Sequence, residues 1–270
     1  MNSALLFNLA AKLSPRFAHE RSFAVRSGEL RTNRFVLSVS VAEIPGRIRE
    51  RILDACGQMK MPLTQIEAVG RHLPTTRFLH LGFEAGNEDQ LYKIYLEQET
   101  PMSPATGKPI LQHLAFKWDS LNPSRHMLTR YTWYPALSVA AVHERIRGIC
   151  SAEAGLIAGQ LIDSVVGSVA KWDLRYLEAE EVENSRRSFD LNLYDAGMRL
   201  AEITPVLMRM WEHYRIETAK WQPVLESDSG ETLGHLSGGV HRNGEDFFNV
   251  YYGRKSIRSG RSDASGNSAA

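Results

Sequence analysis

Four stretches of the chain place cations, amides or phenols two residues apart with apolar residues between them: 91–97, 171–175, 189–194 and 248–251. In an extended strand successive side chains point to opposite faces, so Lys93, Tyr95 and Glu97 share one face while Tyr92, Ile94 and Leu96 share the other. Collecting the polar faces gathers Lys93, Tyr95, Lys117, Arg130, Tyr134, Lys171, Arg175, Asn192, Tyr194, Asn249 and Tyr251, with Glu84, Glu97 and His80 as the acidic and titratable minority. Enclosing that many cations without counter-charge is costly, and a bound anion relieves the cost. A diphosphate held by Arg and Lys, with tyrosine hydroxyls as further donors, is one such anion. Tyrosine faces can also stabilise a neighbouring carbocation and keep water from it. The same alternation is equally the signature of an open antiparallel sheet with one wet face.

Further candidates carry less chemistry. His235 and His241 lie near Gly238-Gly239, but no third metal ligand stands at a suitable spacing on the neighbouring strand. Glu178, Glu180, Glu181 and Glu183 read as a solvated connector, and Ser237-Gly-Gly lacks the strand-to-helix turn of a nucleophile elbow. Trp211, Tyr214 and Trp221 read as helix packing residues or as cover for one barrel mouth, and no phosphate-binding glycine loop or dinucleotide fingerprint is present.

Repeated hairpins must position these residues. After an amphipathic helix over 4–13, residues 34–42 read as a strand with Phe35, Leu37, Val39 and Val41 on one face, and a helix follows Pro45 with Ile48, Ile52, Leu53 and Cys56. Hairpins are expected over 75–98, turning at Gly86-Asn87, over 111–134 through Asn122-Pro123-Ser124, over 169–194, and over 233–252 at Asn243-Gly244. Helices over 136–150, 152–166 and 196–216, the last kinked at Pro205, separate them. The fold class is therefore α+β: an antiparallel β-barrel or strongly curved sheet of repeated β-hairpins, with helices packed on the outer face. Residues 1–26 read as a helical or flexible segment, 27–253 as a single domain, and 254–270 as a disordered basic Ser/Gly tail.

The 270 residues suffice for a large core, and a formal net charge of +1 gives no broad attraction for nucleic acid. No apolar run is long enough to span a bilayer, and Cys56 and Cys150 have no metal or redox spacing. A cytoplasmic protein without a disulfide is expected.

An antiparallel barrel lined by basic residues and tyrosines, with Lys93-Ile-Tyr95, Asn192-Leu-Tyr194 and Asn249-Val-Tyr251 and without aspartate-rich metal motifs, resembles the ABBA-type aromatic prenyltransferases. The resemblance implies a prenyl group moved from an allylic diphosphate to an aromatic or peptide acceptor. It implies diphosphate contacts from Lys93, Lys117, Arg130, Lys171 and Arg175, a shield of Tyr95, Tyr194 and Tyr251 around the allyl cation, and Glu84 as the base. Asn192, Asn249 and His80 would complete the cavity. No cofactor is fixed by these residues, magnesium being compatible with a diphosphate site, and no protein metal site is expected. The alternatives are a non-catalytic binder of an anionic or aromatic small molecule or peptide, and an assembly protein using the wet face of an open sheet.

Overall fold

In a computed structural model of the chain, the structure describes residues 3–86, 89–100, 107–168, 175–184, 186–241 and 243–259. Helix α1 (Ala4–Leu13) leads into strands β1 (Arg16–Arg26), β2 (Glu29–Arg31) and β3 (Arg34–Ser40), then α2 (Ile48–Gln58) and α3 (Leu63–His72). Two hairpins follow, β4 (Thr76–Ala85) with β5 (Gln90–Gln98) and β6 (Ile110–Asp119) with β7 (His126–Trp133), then α4 (Val139–Arg147) and α5 (Ala152–Ser168). The chain continues through β8 (Arg175–Glu181), β9 (Arg187–Asn192), α6 (Thr204–His213), α7 (Thr218–Asp228), β10 (Leu233–Val240) and β11 (Asp246–Arg258).

Every strand pairs antiparallel with its neighbour in the order β1, β3, β4 and onward to β11, and β11 pairs back with β1 to close a ten-stranded barrel. Short β2 is added along the last residues of β1. Closure leaves each wall one inner and one outer face, and the alternation of the sequence decides which residues go where. Leu37, Leu81, Tyr92, Ile94, Phe116 and Trp118 face out and are buried under α1 to α3. Phe23, Tyr176, Phe189, Leu191, Phe248 and Val250 are covered by α4 to α7, so the apolar core is a shell between barrel and helices. Each such large side chain removed from water stabilises by about 1.5–3 kcal/mol, which frees the inner wall to be polar.

The closing strand is where the structure departs furthest from the sequence reading. Residues 16–26 are not a flexible lead-in but β1, hydrogen-bonded on one side to β3 and on the other to β11. Its mixed pattern, Arg16-Phe-Ala-His-Glu-Arg-Ser, hides the period of two because charged residues stand on both faces, Arg21 on the outer side with Phe17 and Phe23 and Glu20 on the inner. β11 takes the extra residue of the register shift between Tyr252 and Lys255 and continues to Arg258, so 254–258 is strand and not tail. The acidic segment read as a loop is also strand: β8 runs through Glu178, Glu180 and Glu181. The helix expected over 196–216 is divided, with turns of 3-10 helix before α6, and Pro205 sits in the first turn of α6, where its missing N–H costs nothing. Helices α3 and α7 were not foreseen. The Asn243-Gly244 turn forms as expected, Gly244 taking φ 84°. Asn87, residues 101–106 and 169–174, and the chain beyond Ser259 lie outside the described residues.

Candidate active site

The inner wall encloses a chamber of about 770 Å³, within the usual range for a small-molecule site. Ten arginines and lysines line it against seven carboxylates, so the wall carries a surplus of positive charge.

Strand register assembles a cationic cluster at one end. Arg34, Glu84, Lys93 and Lys117 are inward positions on four consecutive strands, with Arg34 opposite Glu84 and Lys93 opposite Lys117. Glu84 is shared by three cations, Lys93 Nζ at 2.6 Å, Arg34 Nη1 at 3.0 Å and Arg31 Nη1 at 3.5 Å. Burial alone would raise the Glu84 carboxyl, but Arg34 and Lys93 outweigh it and hold the group ionised far below the ordinary carboxylate range. Lys117 forms no ion pair among the described residues; its ammonium lies 5.9 Å from the Tyr131 ring centroid. Burial and the neighbouring Lys93 bring it down to about 7. A second buried carboxylate, Glu181, is bonded by Arg186 Nη1 at 2.6 Å. Gly82, between Arg34's strand and Lys93, has no side chain to fill this end; a Cβ there would lie 3.1 Å from Lys93 Cβ and 3.5 Å from the Tyr95 ring.

Next to the cations stands a patch of phenols. The Tyr95 and Tyr131 rings meet edge to face with centroids 5.9 Å apart, and Tyr251 reaches towards Arg34. Burial pushes all three hydroxyls up, Tyr251 to about 12, so they remain neutral donors with their ring faces intact. Beyond them Asp190 Oδ1 receives His235 Nδ1 at 2.9 Å, and the Tyr194 hydroxyl donates to the buried Glu20 carboxyl. Burial would discharge His235, yet Asp190 prevails and raises it, which makes this a charged pair. Gly234 leaves room for the Glu20 contact, since a Cβ there would fall on the carboxylate and within 2.9 Å of the Tyr194 ring.

Of the residues expected from the sequence, Glu84, Lys93, Lys117, Tyr95, Asn192, Asn249, Tyr251 and His80 line the chamber together. Arg175 lines it from the start of β8 and Tyr194 from the turn just past β9; the Arg175 guanidinium lies 4.8 Å from the Trp133 ring centroid. Arg130 is a correction. It pairs with Leu114, whose side is the outer face, and it is exposed to solvent on the outside of the barrel. Tyr134 likewise packs against the helix-side core, under the Arg145 guanidinium. Lys171 falls outside the described residues. Sequence reasoning missed Arg34, Arg31, Glu20, His113, Tyr131, Glu181 and Asp190. Arg34 and Asp190 were findable, since each shares the period-two face of a polar inner position, Arg34 four residues before Ser38 and Asp190 two before Asn192. The register of β7 against β6, which Tyr131 needs, has no local signal.

No protein-family model and no curated protein matches the sequence. Solved structures do match. The 5-dimethylallyltryptophan synthase of Streptomyces coelicolor superposes with a TM-score of 0.61 at 12% identity, covering 87% of this chain and 80% of that one. The 6-dimethylallyltryptophan synthase of Micromonospora olivasterospora, solved in complex with DMASPP and Trp, gives 0.58 at 12% identity over 92% and 86%. The prenyltransferase PriB, solved with its product diphosphate, gives 0.60 at 13% identity over 87% and 79%. What this chain shares with them is the fold, the PT barrel of the ABBA-type aromatic prenyltransferases.

Proposed function

We propose that this PT barrel transfers a prenyl group from an allylic diphosphate to an aromatic acceptor, a small molecule or a peptide side chain. The observation that carries the reading is Lys117, an ammonium that lines the chamber without an ion pair among the described residues, beside a cation cluster and a patch of three phenols. The diphosphate lies against Lys117, Lys93 and Arg34, whose charge stabilises the oxygens as they gain negative charge. The allylic C–O bond breaks and its electron pair leaves with the diphosphate. The allyl cation is held over the faces of Tyr95, Tyr131 and Tyr251, which offer no free base to quench it and keep water away. The acceptor ring then supplies two π electrons to form the new C–C bond, and the proton on that ring carbon passes to a carboxylate. Glu84 is assigned that role. In the free protein its charge is committed to Lys93 and Arg34; a diphosphate that takes over those two cations leaves its carboxylate available. A ring carbon bearing both a proton and positive charge is strongly acidic, so even a carboxylate held far below its ordinary value can accept its proton. Arg175 is assigned to the diphosphate's far side, Tyr194 to the shield, and Asn192, Asn249 and His80 to the acceptor's surroundings; Lys171 keeps its diphosphate role from the family resemblance alone.

A second reading has its own support. Glu84 and Glu181 already neutralise much of the wall, so the chamber is stable without an anion and suits a non-catalytic binder. Incubation with dimethylallyl or geranyl diphosphate and tryptophan, a tryptophan peptide or a phenol, with and without magnesium, separates the two by mass spectrometry. Prenylated product supports transfer. Thermal stabilisation by the diphosphate without product supports the binder, and no stabilisation by either diphosphate sinks both readings.

A further inference from the structure

We propose that His80, Glu97 and His113 form a binding site for one borderline divalent cation of the zinc, cobalt or iron(II) kind, with an open coordination position facing the chamber. The three residues are inward positions on the adjacent strands β4, β5 and β6, Glu97 directly opposite His113. One ligand atom from each lies within 4.8 Å of the other two. The His80 Nε2 to Glu97 Oε2 separation is 3.2 Å, close to the roughly 3.4 Å expected between two ligands that each sit about 2.1 Å from a tetrahedral metal.

The surroundings hold these groups in the form a metal needs. His80 Nδ1 lies 2.8 Å from Ser38 Oγ on β3, so a proton on Nδ1, donated to that hydroxyl, leaves the Nε2 lone pair directed at Glu97. His113 Nδ1 is buried without a hydrogen-bond partner, a cost a bound ion would relieve if this nitrogen turns to it. Two imidazoles and one carboxylate on a rigid wall match three-ligand sites that keep a place for water or substrate oxygen. The site lies four residues along β4 from Glu84, about 13 Å at strand rise, so it is separate from the cationic cluster although it faces the same chamber.

The test is cobalt(II) added to metal-stripped full-length protein, followed by visible absorption and by calorimetry. One equivalent with the intense bands of a four- or five-coordinate ion is expected, and His113→Ala and Glu97→Gln should each weaken binding by at least tenfold. Arg130→Ala, on the outside of the barrel, should bind cobalt as the wild type does. The inference is overturned if the wild type gives no such bands at stoichiometric cobalt, a result that needs no variant to fold. It is equally overturned if both variants, folded by circular dichroism, keep the wild-type spectrum and affinity.

Discussion

At neutral pH Lys117 is poised between its two forms, because burial and Lys93 have brought it down to about 7 from an ordinary value of 10.5. The unfolded chain holds this proton up to that ordinary value, so between about 7 and 10.5 the unfolded state binds more protons and this group's contribution makes stability rise with pH. Diphosphate binding has the opposite sign, since it needs the ammonium: affinity should weaken as pH rises above about 7, and binding at pH 8 should take up a proton that binding at pH 6 does not. Calorimetry in buffers of different ionisation enthalpy reads that uptake directly, and Lys117→Ala should abolish it while weakening binding by about 10- to 100-fold, the worth of one charge-assisted hydrogen bond. Glu84 behaves differently. Its carboxyl is held far below 4.5, so its stabilising contribution is complete above that value and is lost as pH falls below it. Glu84→Gln should therefore destabilise the protein by about 3–5 kcal/mol at pH 7, the cost of leaving buried cations unpaired, and should flatten the acid limb of the wild-type stability profile; an unchanged limb in urea melts at pH 3 to 5 would contradict the ion-pair assignment. At this scale the sequence showed identity and face for Lys93, Tyr95, Lys117 and Tyr251, because a period of two needs only the strand itself. It could not show that Lys93 is paired and Lys117 is not, since that depends on which carboxylates neighbouring strands bring alongside.

The strands teach the same lesson with different residues. β4, β5, β6 and β11 were legible because each alternates regularly along the chamber, the register shifts of β4, β6 and β11 falling towards one end, and β1 was not, because charged residues stand on both of its faces. Arg130 was misplaced for a related reason: β7 alternates Thr, Arg, Tyr and Thr, polar on both faces, and only its register against Leu114 turns Arg130 outward. Glycines mark where two elements approach too closely for a side chain. A Cβ on Gly238 of β10 would lie 2.7 Å from the Phe248 ring and 3.0 Å from the Phe189 ring, on the outer face under the helices. Gly238→Val should cost about 1–3 kcal/mol through overpacking, read as a lower urea midpoint with an unchanged slope. Because the strain falls on the core side, diphosphate affinity in the folded variant should stay within about twofold of the wild type. A loss of affinity larger than that would mean that the two faces of β10 are mechanically coupled.

Closure is a property of the whole molecule, and it rests on the pairing of the first strand with the last. Hairpin-by-hairpin reasoning foresaw a curved sheet with helices outside, yet the residues that join its ends, Arg16 to His19 and Lys255 to Arg258, lay in segments whose charge and serine content read as solvated ends. Charged side chains are at home on a strand end that protrudes beyond the helices, so composition misleads there while backbone pairing still operates. The ladder Arg16 to Arg258, Phe17 to Ile257, Ala18 to Ser256 and His19 to Lys255 holds the start of β1 against β11, and Lys255 adds an ion pair to Glu231 at 2.6 Å. A chain ending after Gly253 loses these pairings, which leaves Ala18 and His19 paired only with β3 and removes the strand partners of Arg16 and Phe17. At about 0.5–1.5 kcal/mol for each hydrogen bond, that chain should be roughly 2–5 kcal/mol less stable, a melting temperature lower by roughly 5–15 °C. A chain ending after Ser259 keeps the whole ladder and should melt with the full-length protein. Hydrogen exchange in the shorter chain should rise first at the amides of residues 16–19 and spread little into β4 and β5, whose partners are intact. Equal melting temperatures for the two truncated chains would mean that residues 254–258 do not hold the barrel shut, and that its closure is carried by the pairings from Arg21 to Val25 alone.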